Sequence, residues 1–178
     1  MKKIHALSVV ICCAALLLVI SGCKAHDDNK EKSYSEIMSE KLVSFTDCAN
    51  AFSDSLEKIA GSKSAPSDSQ IAEIRTALDE LKKACAGLAG QDAPKQYSEA
   101  QQALDDAMEE YSKAMEKCDA LLAFYSQYDE MYRKFKNPTE GRSEIEKSER
   151  AVYDEFAQAM QTATESFRAA CKKFSKVK

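Results

Sequence analysis

The stretch that decides the fold is YSEAQQALDDAMEEYSKAMEKCDALLAFYSQYDEMYRKF, residues 97–135. It holds neither glycine nor proline. Its apolar side chains recur in alternating steps of three and four: Tyr97, Ala100, Leu104, Ala107, Tyr111, Ala114, Cys118, Leu121, Tyr125, Tyr128, Tyr132 and Phe135. That spacing keeps one face of an α-helix apolar, and a seven-residue repeat is the pattern of helices packed nearly parallel. A strand would need alternation with period two, which this stretch lacks.

Working outward, three more segments carry the same signature. Met38, Leu42, Phe45, Ala49, Phe52, Leu56 and Ile59 form the first line; Ile71, Ile74, Leu78, Leu81, Cys85 and Leu88 the second. The last runs Ile145, Val152, Phe156, Ala159, Ala163, Phe167, Ala170 and Phe174, with polar Glu149 on the same line. Helix breakers fall between segments: Gly61 with Pro66, Gly87 and Gly90 with Pro94, Pro138 with Gly141. Ser33 with Glu36, Ser67 with Gln70 and Ser143 with Glu146 have the spacing of capping boxes, and Asp92 is placed to cap the remaining start. The predicted helices are therefore 34–60, 68–88, 94–136 and 144–175. Short connections favour antiparallel neighbours, so the expected fold is all-α, an up-down-up-down antiparallel four-helix bundle with coiled-coil-like heptads. The third helix outreaches its neighbours and is expected to bend or project near Phe124 to Tyr128.

The N-terminus has a different character. Lys2 and Lys3 precede 14 apolar or small residues, Leu7 to Ile20, too few for a membrane-spanning helix but enough for a signal-peptide core. The run ends Ile20-Ser21-Gly22-Cys23 and gives way at once to charge. This boundary resembles the lipobox of bacterial lipoproteins. The resemblance implies diacylglyceryl attachment to Cys23, cleavage after Gly22, and acylation of the new amine by a fatty acid such as palmitate. An ordinary or uncleaved signal peptide, with Cys23 a bystander, is the competing reading. Each buried methylene contributes about 0.8 kcal/mol, so two or three chains hold a protein on the bilayer where one does not. The expected organisation is a signal peptide at 1–22, a flexible tether at 23–33 and a single helical domain at 34–178. The implied location is extracytoplasmic, anchored to the cell membrane, or to the outer membrane if the cell is Gram-negative. Lys24 is not the Asp that favours inner-membrane retention in enteric bacteria. Residues 93–115, APKQYSEAQQALDDAMEEYSKAM, also resemble the helix start after an Ala-Pro turn in small helical lipoproteins, a resemblance that carries over no binding or catalytic residue.

Removing residues 1–22 from the 178 leaves 156 residues. Lys2 and Lys3 go with them, leaving 23 basic against 29 acidic side chains and a net formal charge of −6. Phosphate neutralisation needs clustered Lys and Arg, so no nucleic-acid partner is expected. The only histidines are His5, in the signal peptide, and His26, in the tether. Their absence from 34–178 argues against Ser-His-Asp and Cys-His nucleophiles, HExxH zinc sites and ferritin-like Glu-x-x-His sets. No catalytic residue, cofactor or metal is assigned, and the chain reads as no enzyme. The acids Asp105, Asp106, Glu109, Glu110, Glu116 and Asp119 read as a solvated helix face rather than a divalent-ion site, because no loop converges them.

Two groups of residues stand out within the domain. Tyr125, Tyr128, Tyr132 and Phe135 lie on one helical stripe, and tyrosine's polar handle suits recognition. Exposed, they would bind a peptide, a glycan or another helix; the preferred competing reading has the fourth helix, Ile145 and Val152 included, close over them. Cys48, Cys85, Cys118 and Cys171 occupy one helix each. Distance from the connecting turns ranks Cys48–Cys85 first as a disulfide, with Cys118–Cys171 requiring a bent third helix. All four reduced, as small core side chains, is the alternative. The function expected is a membrane-anchored, non-enzymatic helical module that binds an envelope protein or cell-wall component. The alternative is an envelope inhibitor or holdase-like factor acting on a secreted enzyme or unfolded clients.

Overall fold

The computed structural model describes residues 32–60, 65–135 and 137–177. Two helices fall where the caps and breakers place them, α1 at Tyr34–Ala60 and α2 at Asp68–Leu88. Both starts close as capping boxes. The Ser33 amide donates to Glu36 Oε2 at 2.7 Å, and the Glu36 amide donates to Ser33 Oγ at 3.4 Å. The Ser67 amide donates to Gln70 Oε1 at 2.9 Å, and the Gln70 amide donates back to Ser67 Oγ at 3.3 Å. These reciprocal bonds satisfy amides that have no partner within the helix.

The third segment is not one helix. A 3₁₀ turn at Lys95–Tyr97 leads into α3, Ser98–Ser126, and a short α4 follows at Tyr128–Arg133. Asp92 does not cap this start; no side chain caps either the turn or α3. The break comes at Gln127, whose backbone (φ −105°, ψ 0°) leaves the helical basin and whose amide bonds back to Phe124 and Tyr125. It falls inside the region where a bend was expected.

The last helix starts earlier than the Ser143–Glu146 spacing indicated. α5 spans Pro138–Phe174, with Asn137 as its cap: Asn137 Oδ1 accepts from the Thr139 amide at 3.1 Å. Proline at the first helical position gives up an amide that had no partner there anyway. Ser143 lies inside the helix, and Glu146 accepts from Arg142 Nε at 3.0 Å instead.

The described residues contain helices and turns and no strand. The long helices α1, α2, α3 and α5 pack antiparallel in sequence, and α3 with α5 forms the most extensive backbone contact. Small residues explain that closeness: Ala107 and Ala114 on α3 and Ala163 and Ala170 on α5 are fully buried. Across the bundle, α1 meets α3 and α5 through rings. Phe45 lies 5.1 Å from Tyr111 and 4.7 Å from Phe167, and Phe52 lies 6.3 Å from Phe156, edge to face. All four apolar lines meet in one buried cluster.

A polar knot closes one end. Tyr34 Oη donates to Gln101 Oε1 at 2.5 Å, and Gln101 Nε2 donates to the Leu88 carbonyl at 3.1 Å and Asp105 Oδ1 at 2.7 Å. Asp105 also accepts from the Gly90 amide at 2.9 Å, where a φ of 65° requires glycine's freedom. At this end Tyr97 lies 5.0 Å from Tyr34 and 6.1 Å from Phe174, so the start of α1 and the end of α5 are neighbours.

Candidate functional site

The aromatic stripe lies at the opposite end, and the break at Gln127 divides it. Tyr125 belongs to α3 and packs against the core; Tyr128 and Tyr132 belong to α4; Phe135 follows it. Tyr125 Oη donates to Glu149 Oε1 on α5 at 3.0 Å. Burial, then the neighbouring Glu149 charge, pushes the Tyr125 phenol well above its ordinary range. Tyr128 is half-buried and also raised, first by burial and then by Glu149 and Glu146, with Arg142 opposing. Phe124 meets both rings edge to face, at 6.0 Å from Tyr125 and 6.4 Å from Tyr128. Tyr153 completes the buried side; its hydroxyl is shielded from solvent with no hydrogen-bond partner among the described residues.

The outer half is open. Tyr132 is 40% exposed and Phe135 37%, and with Ile37 and Val43 they are the exposed large apolar side chains among the described residues. Phe135 rests on α5 where Gly141 leaves room: a Cβ on Gly141 would lie 2.6 Å from Phe135 Cβ and Cγ. The fourth helix therefore covers the stripe in part. Ile145 is buried and Val152 packs against the core, while Tyr132 and Phe135 keep more than a third of their surface exposed. Of the four expected recognition residues, Tyr125 is a structural anchor, Tyr128 is intermediate, and Tyr132 and Phe135 form an accessible aromatic tip.

Glu149 carried the one sequence signal for this arrangement, an acid on an otherwise apolar line. The Gln101 knot had none, because its glutamine lies beside the α3 line, not on it.

The acidic stretch of α3 is distributed over its surface. Glu109 and Glu110 both pair with Lys113 at 2.9 and 2.8 Å, Asp119 pairs with Lys82 at 2.8 Å, and Asp105 serves the knot. Exposed pairs of this kind add little to stability, because water screens both charges. Among the described residues no group of three or more His, Cys, Asp or Glu is placed to hold a metal ion.

Cys48, Cys85 and Cys118 are free thiols, so the expected Cys48–Cys85 bridge is not present in this structure. Burial raises the Cys85 and Cys118 thiols to about 12. Cys23, the expected lipid carrier, and most of the expected tether lie outside the described residues. No described helix is long and apolar enough to cross a membrane. Comparison with protein-family models, curated proteins and solved structures finds no match.

Proposed function

We propose that this chain is a membrane-anchored bacterial envelope lipoprotein whose helical bundle is a non-enzymatic binding module. The observation that carries the reading is the Ile20-Ser21-Gly22-Cys23 boundary, between a basic-then-apolar leader and a charged tether. The arrangement of the bundle supports it. Chain arriving from Cys23 enters at the Tyr34 end, beside the polar knot, while Tyr132 and Phe135 lie at the other end. The 37 residues of α5 span about 55 Å between the two ends. A lipid at Cys23 would then join the bundle at the end opposite the aromatic tip, leaving the tip free to meet a protein or cell-wall partner.

Cys23→Ala tests the anchor. It should block lipidation and cleavage together, giving a heavier precursor that no longer partitions as a mature lipoprotein. Normal processing of that variant would end the proposal. The binding role is tested by photo-crosslinking from position 132 or 135 on living cells. One saturable partner, lost in Tyr132→Ala/Phe135→Ala without a change in thermal midpoint, is the expected result. Concentration-dependent suppression of client aggregation, with no discrete partner, would instead favour a holdase.

A further inference from the structure

The four helical cysteines are spread unevenly along the bundle. Lys58 bonds Glu73 near one end of the α1–α2 pair, and Lys41 bonds Gln91 just beyond the other. Counted from Lys58 and Glu73, Cys48 lies ten residues back along α1 and Cys85 twelve residues on along α2. At about 1.5 Å per residue these are about 15 and 18 Å, so the two cysteines stand level within one turn. Cys85 belongs to the core and Cys48 packs half-buried against it. Burial first, and then charge on Cys48, raises the Cys85 thiol.

Cys118 stands near the level of Cys85, since Lys82 meets Asp119, but it is fully buried and shielded from a soluble oxidant, and it has no match in Cys171. Tyr111 meets Thr164 and Lys117 meets Glu155, which sets Cys118 opposite about residue 156 of α5. Cys171 is some fifteen residues further along, about 22 Å away.

We infer that Cys48 and Cys85 are a reversible dithiol–disulfide pair, oxidised in the folded protein by a low-molecular-weight disulfide to a covalent α1–α2 bridge. Cys48, the more accessible of the two, attacks first. Its thiolate forms a bond to one sulfur of the donor; the donor's S–S bond breaks and its other half leaves as a thiolate that takes up a proton. The Cys85 thiolate then attacks the Cys48 sulfur, the Cys48–Cys85 bond forms, and the second half of the donor leaves and is protonated. Two protein thiols are oxidised, one donor disulfide is reduced to two thiols, and both protons pass to those thiols. Burial raises both protein thiols, so little thiolate is present near neutrality and the exchange accelerates as pH rises. The bridge closes a loop 37 positions long and limits the separation of α1 from α2.

The test treats the full chain, purified in detergent and folded, with oxidised glutathione at mildly alkaline pH, followed by trypsin without reductant. The expected product joins peptide 42–58 to peptide 84–95, disappears with dithiothreitol, and accompanies a rise in thermal midpoint of roughly 5–15 °C. Cys85→Ser should trap glutathione on Cys48, whereas Cys48→Ser should leave Cys85 unmodified. Glutathione persisting on Cys48 of the unmutated protein beside an unreacted Cys85 would overturn the inference. So would a joined peptide that forms only after urea unfolding, or no modification at either cysteine. The peptide map of the unmutated protein decides the matter even if a serine variant folds poorly.

Discussion

Single side chains set both the stability of the core and the geometry of the tip. Phe52 and Phe156 are at most 1% exposed and meet edge to face. Truncating either to Ala should cost about 3–5 kcal/mol, the transfer term plus the cavity left behind. Asp106 is exposed and accepts from Gln102, so Asp106→Ala should stay within about 0.5 kcal/mol. Urea unfolding of the three variants checks the ranking, and a costlier Asp106→Ala would contradict the burial pattern. Gly141 poses a finer test. In an open helix Gly→Ala gains about 1 kcal/mol of propensity, but here the new Cβ would strike the fixed root of the Phe135 side chain. Gly141→Ala should therefore speed amide exchange across 128–135 while leaving the bundle protected, and adding Phe135→Ala should remove the clash. Unchanged exchange in that segment would mean that Phe135 does not rest there. Phe52 and Phe156 were legible from apolar spacing alone, whereas Met108, Met115, Leu122 and Met160, buried beside the expected lines, were not. Phe135's dependence on Gly141 was not, because it joins residues on either side of a turn, and periodicity reports only on a single helix.

At the scale of helices, the first two were readable almost to the residue because breakers and capping boxes agree there. The third and last were misjudged at their ends for separate reasons. Gln127 interrupts the long segment with no glycine or proline to mark it, and the apolar series runs on through the break into Tyr128 and Tyr132. At the last helix, two start signals competed. Asn137-Pro138 supplies a cap and a favoured first residue, and Gly141 is tolerated inside the helix where Phe135 needs the space. The Ser143–Glu146 pair then has no free helix end to satisfy. Which helices approach most closely was also hidden, since an alanine line reads as weak hydrophobicity although it permits tight packing. Ala163→Leu should force α3 and α5 apart and cost about 1–3 kcal/mol. A chemical-denaturation midpoint matching the parent's would show that the seam has room to spare.

For the whole molecule, buried acids predict the alkaline limit. The Cys85 and Cys118 thiols rise from 9.0 to about 12 and the Tyr34 phenol from 10.0 to about 12, each chiefly through burial. A raised folded pKa means that the unfolded chain releases its proton first. Stability from these groups is complete below pH 9 and is lost as pH climbs through 9 to 12. The denaturation midpoint should fall across that window, and Cys118→Ala should soften the onset near pH 9; an unchanged onset would remove Cys118 from the account. The fold class was legible because four periodic lines and their breakers left few alternatives. Partner identity was not, because the chemistry of two exposed rings suits many surfaces. The placement of the ends has a mechanical consequence. The start of α1 and the end of α5 meet at Tyr97, so tension applied between them peels neighbouring helices apart one turn at a time. Tension between the start of α1 and the α4–α5 tip runs along the bundle axis and must slide α1 past α5 with several ring contacts loaded at once. In an optical trap the second attachment should hold to a distinctly higher rupture force, making this protein strong along its length and weak when opened from its base.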